Sequence, residues 1–295
     1  MGKIGLVTVL FKSDEVLPGF FASVSKQKYS NYILYLIDNS PNPVSDSIIE
    51  QCASQYPVTQ WKHLKSPGNI GVAEGNNIGI RNALADGCGY VLLLNNDIEL
   101  EQDFVFGHMV SLCETNGEKI IVPKIFYFDT RKLWMAGGYM NKWRALGIHY
   151  GDGKADAPEY NVAKYITYAP TCFMLIESSV FETTGMMDAK YFAYYDDTDF
   201  VFRALKQGYK MYYEPSLTVL HKVSSSSSGD STFYVYYSNR NKIYFSRKNL
   251  RGLVKYFAIA YTLFTRVFYY LRFDAVQRKK LVQGLKDGFS IPLAD

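Results

Sequence analysis

Cysteine is scarce and unpatterned in this chain. Cys52, Cys88, Cys113 and Cys172 are the only four in 295 residues, with no CxxC spacing. That argues against a zinc site and a disulfide framework and for a reducing cytosol. Long apolar runs are missing too. The longest, Tyr256 to Leu271, is interrupted by Arg266 and falls short of the ~20 residues that span a bilayer, so no transmembrane helix is expected. The opening MGKIGLVTVLF runs straight into a strand-like segment without signal-peptide features. Leu6 stands where a myristoylation motif needs Ser or Thr. The expected location is therefore cytoplasmic. The formal net charge is only +4, too little to argue for nucleic acid. There is no GxGxxG fingerprint, no P-loop and no internal repeat.

What is present is a core-forming composition. Hydrophobic residues make up 48% of the chain, enough for one large α/β domain with an appendage. Short apolar runs at Ile4–Phe11, Tyr32–Ile37, Trp61–Leu64 and Tyr90–Leu94 read as strands. Helical stretches from about Asp14 to Gln27, Ser45 to Gln55 and Gly75 to Asp86 separate them. This alternation predicts right-handed crossovers and a mainly parallel central sheet flanked by helices. Val122–Phe128 and Gly137–Gly147 read as strands of a mixed extension. Tyr168–Glu177 is a further strand, and helices follow at Ser178–Thr183 and Thr198–Gln207. Ser224–Ser228 with Gly229 reads as a polar loop, flexible without ligand. From Phe233 to about Gly284 a helical pattern dense in Tyr, Phe, Lys and Arg dominates.

Five segments carry chemistry. Asn95-Asn96-Asp97 follows the apolar Val91–Leu94, and a carboxylate at the open end of a buried strand can hold a hard divalent ion. The plainer alternative is an Asx turn ending a strand. Tyr195-Asp196-Asp197-Thr198-Asp199 crowds three carboxylates whose mutual repulsion needs compensation. A helix start supplies some, and a general base is the sharper reading. In Pro67–Gly79, glycines permit close approach of backbone to a ligand and asparagines offer donors and acceptors, although an ordinary loop into a helix would read similarly. His221, one of four histidines, is either structural or an imidazole ligand for Mn²⁺. Arg240 is either a solvated helix residue or a bidentate clamp for a diphosphate.

In this order the motifs resemble the family 2 glycosyltransferases, and most of all their bacterial rhamnosyltransferase-like members. The resemblance rests on Asp38-Asn39, Asn69-Ile70-Gly71 with Gly75-Asn76-Asn77, Leu94–Asp97, Ser178–Gly185, Tyr195–Asp199 and His221, and covers roughly Ile4 to Lys248. It implies a GT-A fold, a Rossmann-like nucleotide-binding half merged with an acceptor-binding half on one continuous sheet. By family role, Thr8, Val9 and Leu10 line the base pocket and Asp38 contacts base or ribose. Asn69, Gly71 and Asn76 belong to the segment that holds the nucleotide sugar, with Asn95 and Asn96 beside them. Asp97 is the implied ligand for Mn²⁺ or Mg²⁺, His221 completes the site, and Asp197 is the catalytic base. Asn95 replaces the first Asp of the family's Asp-x-Asp. Asp196 replaces the Glu before the base, which makes Asp196 the alternative base and Asp199 the third choice.

The resulting expectation is an inverting hexosyltransferase. It would move a sugar from a UDP- or dTDP-linked donor to a glycan or lipid-linked acceptor, in bacterial surface polysaccharide or glycan assembly. Residues 1–232 would form the catalytic domain, with the nucleotide-sugar half at about 1–100 and the acceptor half at about 101–232. Residues 233–295 would form a basic aromatic helical region. Its partner is either an anionic membrane at the inner face of the cell, or protein, in the form of the catalytic domain or a second subunit of a homodimer. The rival readings are a non-catalytic nucleotide-sugar-binding module and a sugar-phosphate nucleotidyltransferase. The second would need a Gly-rich basic loop after strand one, which Phe11-Lys12-Ser13-Asp14 does not supply.

Overall fold

A computed structural model describes residues 2–40, 46–222 and 231–293; the serine-rich loop at 224–229 lies outside them. The chain opens with β1 (Ile4–Leu10), α1 (Leu17–Ser25), β2 (Tyr32–Asp38), α2 (Asp46–Gln55), β3 (Trp61–Lys65), α3 (Gly71–Ala85) and β4 (Tyr90–Leu94). Next come β5 (Ile98–Glu99), α4 (Val105–Asn116), β6 (Ile120–Tyr127), β7 (Leu133–Met135), β8 (Gly138–Asn141), β9 (Leu146–His149) and β10 (Lys164–Ile166). The last part holds β11 (Phe173–Glu177), α5 (Ser178–Thr184), α6 (Asp196–Lys206), β12 (Met211–His221), α7 (Ser231–Asn249), α8 (Gly252–Arg272) and α9 (Ala275–Ser290).

One sheet runs β10-β12-β6-β11-β4-β1-β2-β3, with β5 beside β12 and β7 beside β6. β4, β1, β2 and β3 are parallel, and β11 is antiparallel to both β4 and β6. β12 is parallel to β6, so it points the same way as β4. The carboxyl ends of β1, β2, β4 and β12 and the entry to β11 therefore share one rim. The strand order reverses between β1 and β4, the place where ligands gather in open sheets of this kind. β2 is buried at every position and correspondingly apolar, being covered on both faces. The edge strand β3 leaves Lys62 and Lys65 exposed.

α3 lies unusually close to the sheet. A Cβ at Gly75 would meet the Val9 side chain at 2.9 Å, one at Gly79 would collide with Val7, and one at Gly5 with Ala83. Gly71, Gly75, Gly79 and Ala83 recur every four residues, so they form one bare stripe along the helix. The glycines of this segment thus let a helix approach a strand. Gly71, at φ +84, brings its Cα face against Phe192.

The carboxy-terminal region is three helices rather than one continuous pattern. Arg251 is extended and Gly252 has φ +55, which ends α7 and starts α8. Asp274 and Gln277 form a reciprocal capping box that starts α9. Among the described residues, no helix is long and apolar enough to cross a membrane.

Candidate active site

The rim is assembled from strand ends. At β1, Thr8 and Leu10 are buried and Val9 is partly so; the Thr8 hydroxyl is buried without a hydrogen-bond partner. Asp38 ends β2 and is buried. Its Oδ1 accepts from the Ser40 N–H at 2.9 Å and its Oδ2 lies 3.4 Å from His63 Nε2. The Ser66 N–H and hydroxyl both donate to the Asp38 carbonyl, and Asn39 donates to the Gly71 carbonyl at 2.8 Å. The Asn69 side chain accepts from the Gly71 N–H at 3.1 Å, turning the chain into α3. Asn76 and Asn77 face Met187: the Asn77 amide makes a two-way pair with its backbone, and Asn76 Nδ2 lies 3.7 Å from its sulfur. These asparagines clasp α3 to the segment that leads to α6.

Beyond β4, Asn95 is exposed and donates its backbone N–H to the Cys172 carbonyl. The Asn96 amide donates to the Val9 carbonyl and to the Ser13 hydroxyl, both at 2.9 Å, and so ties the exits of β4 and β1 together. Asp97 is buried, and its carbonyl accepts from the Lys222 N–H. Its Oδ1 lies 3.2 Å from His221 Nε2. The pairing of Ile98 with His221 across β5 and β12 fixes this approach. The other ring nitrogen of His221 is buried without a hydrogen-bond partner, and its ring packs edge-on against Trp134 at 4.6 Å.

A divalent ion fits this pair. A carboxylate oxygen and an imidazole nitrogen 3.2 Å apart match the ~3.0 Å between neighbouring ligands of an octahedral ion with bonds of about 2.1 Å. Among the described residues no third histidine, cysteine or carboxylate joins them. The remaining ligands would have to be diphosphate oxygens and water.

The second acidic locus is the start of α6. Phe192, Tyr194 and Tyr195 leading into it have φ of 60°, 63° and 68°, a left-handed conformation that costs non-glycine residues free energy. Asn241 of α7, fully buried, holds this loop in place. Its amide donates to the carbonyls of Tyr191, Ala193 and Tyr194 at 2.7–2.8 Å. Asp199 is fully occupied: Tyr191, Arg203, Lys248 and Asn249 all donate to its carboxylate. Such saturation marks Asp199 as the anchor of the helix rather than a proton acceptor.

Asp197 is half-buried. One oxygen accepts from the Thr198 N–H and hydroxyl, and the other from the Tyr168 hydroxyl at 3.2 Å. Burial raises its pKa above the usual carboxylate value, with those donors and His149 opposing the rise. Asp196 is raised as well, by burial first and then by the Asp197 charge. Burial holds the Tyr168 phenol protonated, so it can donate. It also lowers the pKa of His149, which favours the neutral ring.

Side chains absent from the motif reading join the two loci. His221 packs on Trp134, Trp134 on His149 at 4.7 Å, and His149 stacks on Tyr168 at 5.7 Å, which reaches Asp197. The buried Cys172 thiol is pushed up by burial and then by the charges of both Asp97 and Asp197. Both carboxylates are therefore within electrostatic reach of one atom on the rim. Arg240 donates to the Lys190 carbonyl at 2.6 Å and stacks over Tyr237.

The chain is 25% identical over 248 residues to the low-salt glycan biosynthesis hexosyltransferase Agl10 of Haloferax volcanii, covering 82% of this chain and 75% of that one. It is 22% identical over 254 residues to the dTDP-rhamnosyl transferase RfbF of Shigella flexneri, covering 83% and 80%. Among solved structures it resembles GalNAc-T7 with UDP, GalNAc and Mn²⁺ (TM-score 0.63, 14% identity), covering 87% of this chain but only 54% of that one. It also resembles S. aureus TarS 1–349 in complex with UDP (TM-score 0.63, 11% identity), covering 97% and 80%. These likenesses identify the fold as GT-A. Residues 6–184, more than half of the chain, match the family described as Glycosyl transferase family 2, and the chain belongs to that family.

Proposed function

We propose that this glycosyltransferase moves a sugar from a nucleoside diphosphate donor to an acceptor hydroxyl with inversion and with a divalent ion bound. The observation that carries the reading is the aromatic bridge His221–Trp134–His149–Tyr168, which links the Asp97–His221 pair to Asp197 across one rim. Donor recognition falls to β1, β2 and the start of α3. The unpartnered Thr8 hydroxyl faces the nucleoside, Asp38 the base or ribose, and Asn69, Gly71 and Asn76 shape the sugar side. Asn95 and Asn96 form the lip of the crevice. Arg240 is anchored by one N–H to Lys190 and keeps its other donors for phosphate oxygens.

Asp97 and His221 would hold Mn²⁺ or Mg²⁺, which when bound offsets the negative charge of the diphosphate. Asp197 accepts the acceptor's hydroxyl proton as that oxygen bonds to the anomeric carbon and the bond to the diphosphate breaks. A carboxylate with a raised pKa is the stronger base for this step. Tyr168 and Thr198 aim the group, and Asp196 beside it stands as the alternative base. One displacement from the face opposite the leaving group inverts the anomeric centre.

Residues 1–232 carry both substrates in this reading, and the helices from 233 on hold the base-bearing loop. The names of the relatives favour dTDP- and UDP-linked sugars as donors and a role in glycan or surface polysaccharide assembly. The test is release of nucleoside diphosphate from a panel of donors with Mn²⁺. Wild type should release it. Asp97→Ala should bind donor poorly, and Asp197→Asn should bind donor yet fail to transfer. Donor binding without turnover by the wild type would instead indicate a binding module.

A further inference from the structure

The carboxy-terminal helices carry a surface that catalysis leaves unused. α8 is 21 residues long, about 31 Å at 1.5 Å per residue. Its outward face shows Leu253, Tyr256, Phe257, Leu263, Phe264, Val267, Phe268 and Leu271 at exposures of 40–83%. Residues recurring at three- and four-residue steps share one face, so this apolar stripe runs the length of the helix. The polar and small residues Ala258 and Thr262 are the ones turned inward and buried. In water that arrangement is inverted, and a stripe of this extent marks an interaction surface. Trp143, at the tip of the β8–β9 hairpin and 51% exposed, packs on Phe257 and widens it.

The charge around the stripe has one sign. From Ser231 to Phe273 there is no Asp or Glu, while Arg240, Lys242, Arg247, Lys248, Arg251, Lys255, Arg266 and Arg272 are all cationic. Lys242 of α7 is 5% exposed, and neither a hydrogen bond nor an ion pair joins its ammonium to any described residue. Burial and then the nearby Arg266 and Arg144 pull its pKa down to about 8. Arg266 is tied to Asn239 of α7, and Arg144 lies over Tyr261 of α8, so the three cations gather where α7, α8 and the hairpin tip meet. A buried cation without a counter-charge is costly. At the other end of the stripe, Tyr270, Arg278, Lys279, Val282 and Lys286 line an open groove of about 730 Å³.

We propose that α8, with Trp143, lies flat on an anionic phospholipid bilayer, its apolar face in the interface and the exposed cations beside it, Arg251 and Arg272, on lipid phosphates. Charge complementarity selects this occupant over a second copy of the chain. Two such faces brought together would set cation against cation, since residues 231–273 hold no carboxylate, whereas an anionic leaflet meets Arg251, Lys255 and Arg272 along α8. The hairpin that carries Trp143 also carries His149, which stacks on the Tyr168 that orients Asp197. A bilayer at α8 would therefore sit beside the acceptor side of the site.

The test is co-sedimentation of the full chain with vesicles of phosphatidylcholine alone or with 30% phosphatidylglycerol, followed by analytical ultracentrifugation without lipid. Binding should be at least tenfold tighter to the anionic vesicles and fall with salt. Phe264→Glu with Phe268→Glu should abolish it while leaving the melting temperature and donor hydrolysis unchanged. Arg272→Met should weaken it about fivefold, the effect of one cation at such a surface. Equal binding to both vesicles, no binding to either, or a dimer in solution that the Phe264/Phe268 variant dissociates would each overturn the proposal.

Discussion

Asn241 offers the sharpest perturbation of the base-bearing loop. Its two amide N–H groups serve three carbonyls, so Asn241→Ala removes at most two full hydrogen bonds, about 1 kcal/mol each, and strands buried carbonyls at a further ~1–3 kcal/mol. Against this stands the left-handed backbone of Phe192, Tyr194 and Tyr195. Each such residue holds about 1–3 kcal/mol of strain that a released loop would shed. The two sums are of similar size, so the fold should survive and the loop should move. The expected result is a melting temperature lower by only a few degrees. The turnover number should fall about a hundredfold, because a misplacement near 1 Å costs that much in an oriented reaction. The donor KM should move far less, since Thr8, Asp38 and Asn69 lie on other elements. Asn241→Asp, equal in shape but presenting an acceptor to three carbonyls, should be worse on both counts. Steady-state kinetics with a matched thermal scan decides it, and a turnover number within twofold of wild type for Asn241→Ala would refute the clamp.

Other outcomes follow from the same geometry. Because Asp196 is raised by burial and by Asp197, its folded form favours the proton. Its contribution to stability is full below the unfolded carboxylate value and is lost as pH rises through the folded one. Asp196→Asn should accordingly raise the melting temperature at pH 8 more than at pH 5, read by calorimetry at both. With Asp197 also raised, the acid limb of the pH–rate profile should have its midpoint above the usual carboxylate value. Gly79→Ala should destabilise by about 1–3 kcal/mol through overpacking, and Val7→Ala in the same chain should recover part of that in urea unfolding. Lys242→Met should raise the melting temperature, since it replaces a buried, uncompensated cation by an apolar chain of similar length.

The half built on β1 to β4 was legible because its information is local. Apolar runs such as Val91–Leu94 end in Asn95–Asp97, and alternation with helices fixes which strand ends share a rim. The glycine stripe of α3 was visible as spacing, but its use in packing on Val7 and Val9 needs the partner strand. The acceptor half depends on contacts between distant segments. Trp134, His149, Tyr168 and His221 meet only because β7, β9, the entry to β11 and the end of β12 converge, and no periodicity announces that. The same holds for Asn241, Lys248 and Asn249, whose polar side chains on a basic helix read as a solvated face until α7 is seen against the Tyr191–Asp199 loop. The breaks within the tail carried local signals, Gly252 and the Asp274–Gln277 capping box, which a helical composition of this density masks.

The account stands on Asp97 and Asp197 serving one reaction in two different ways. Thermal stabilisation by nucleoside diphosphate with Mn²⁺, measured beside transfer from the matching donor, separates their roles. Wild type should show both, Asp197→Asn should keep the stabilisation and lose transfer, and Asp97→Ala should lose the Mn²⁺-dependent part of the stabilisation. Transfer by Asp197→Asn at near wild-type rate, or undiminished Mn²⁺-dependent stabilisation of Asp97→Ala, would contradict it.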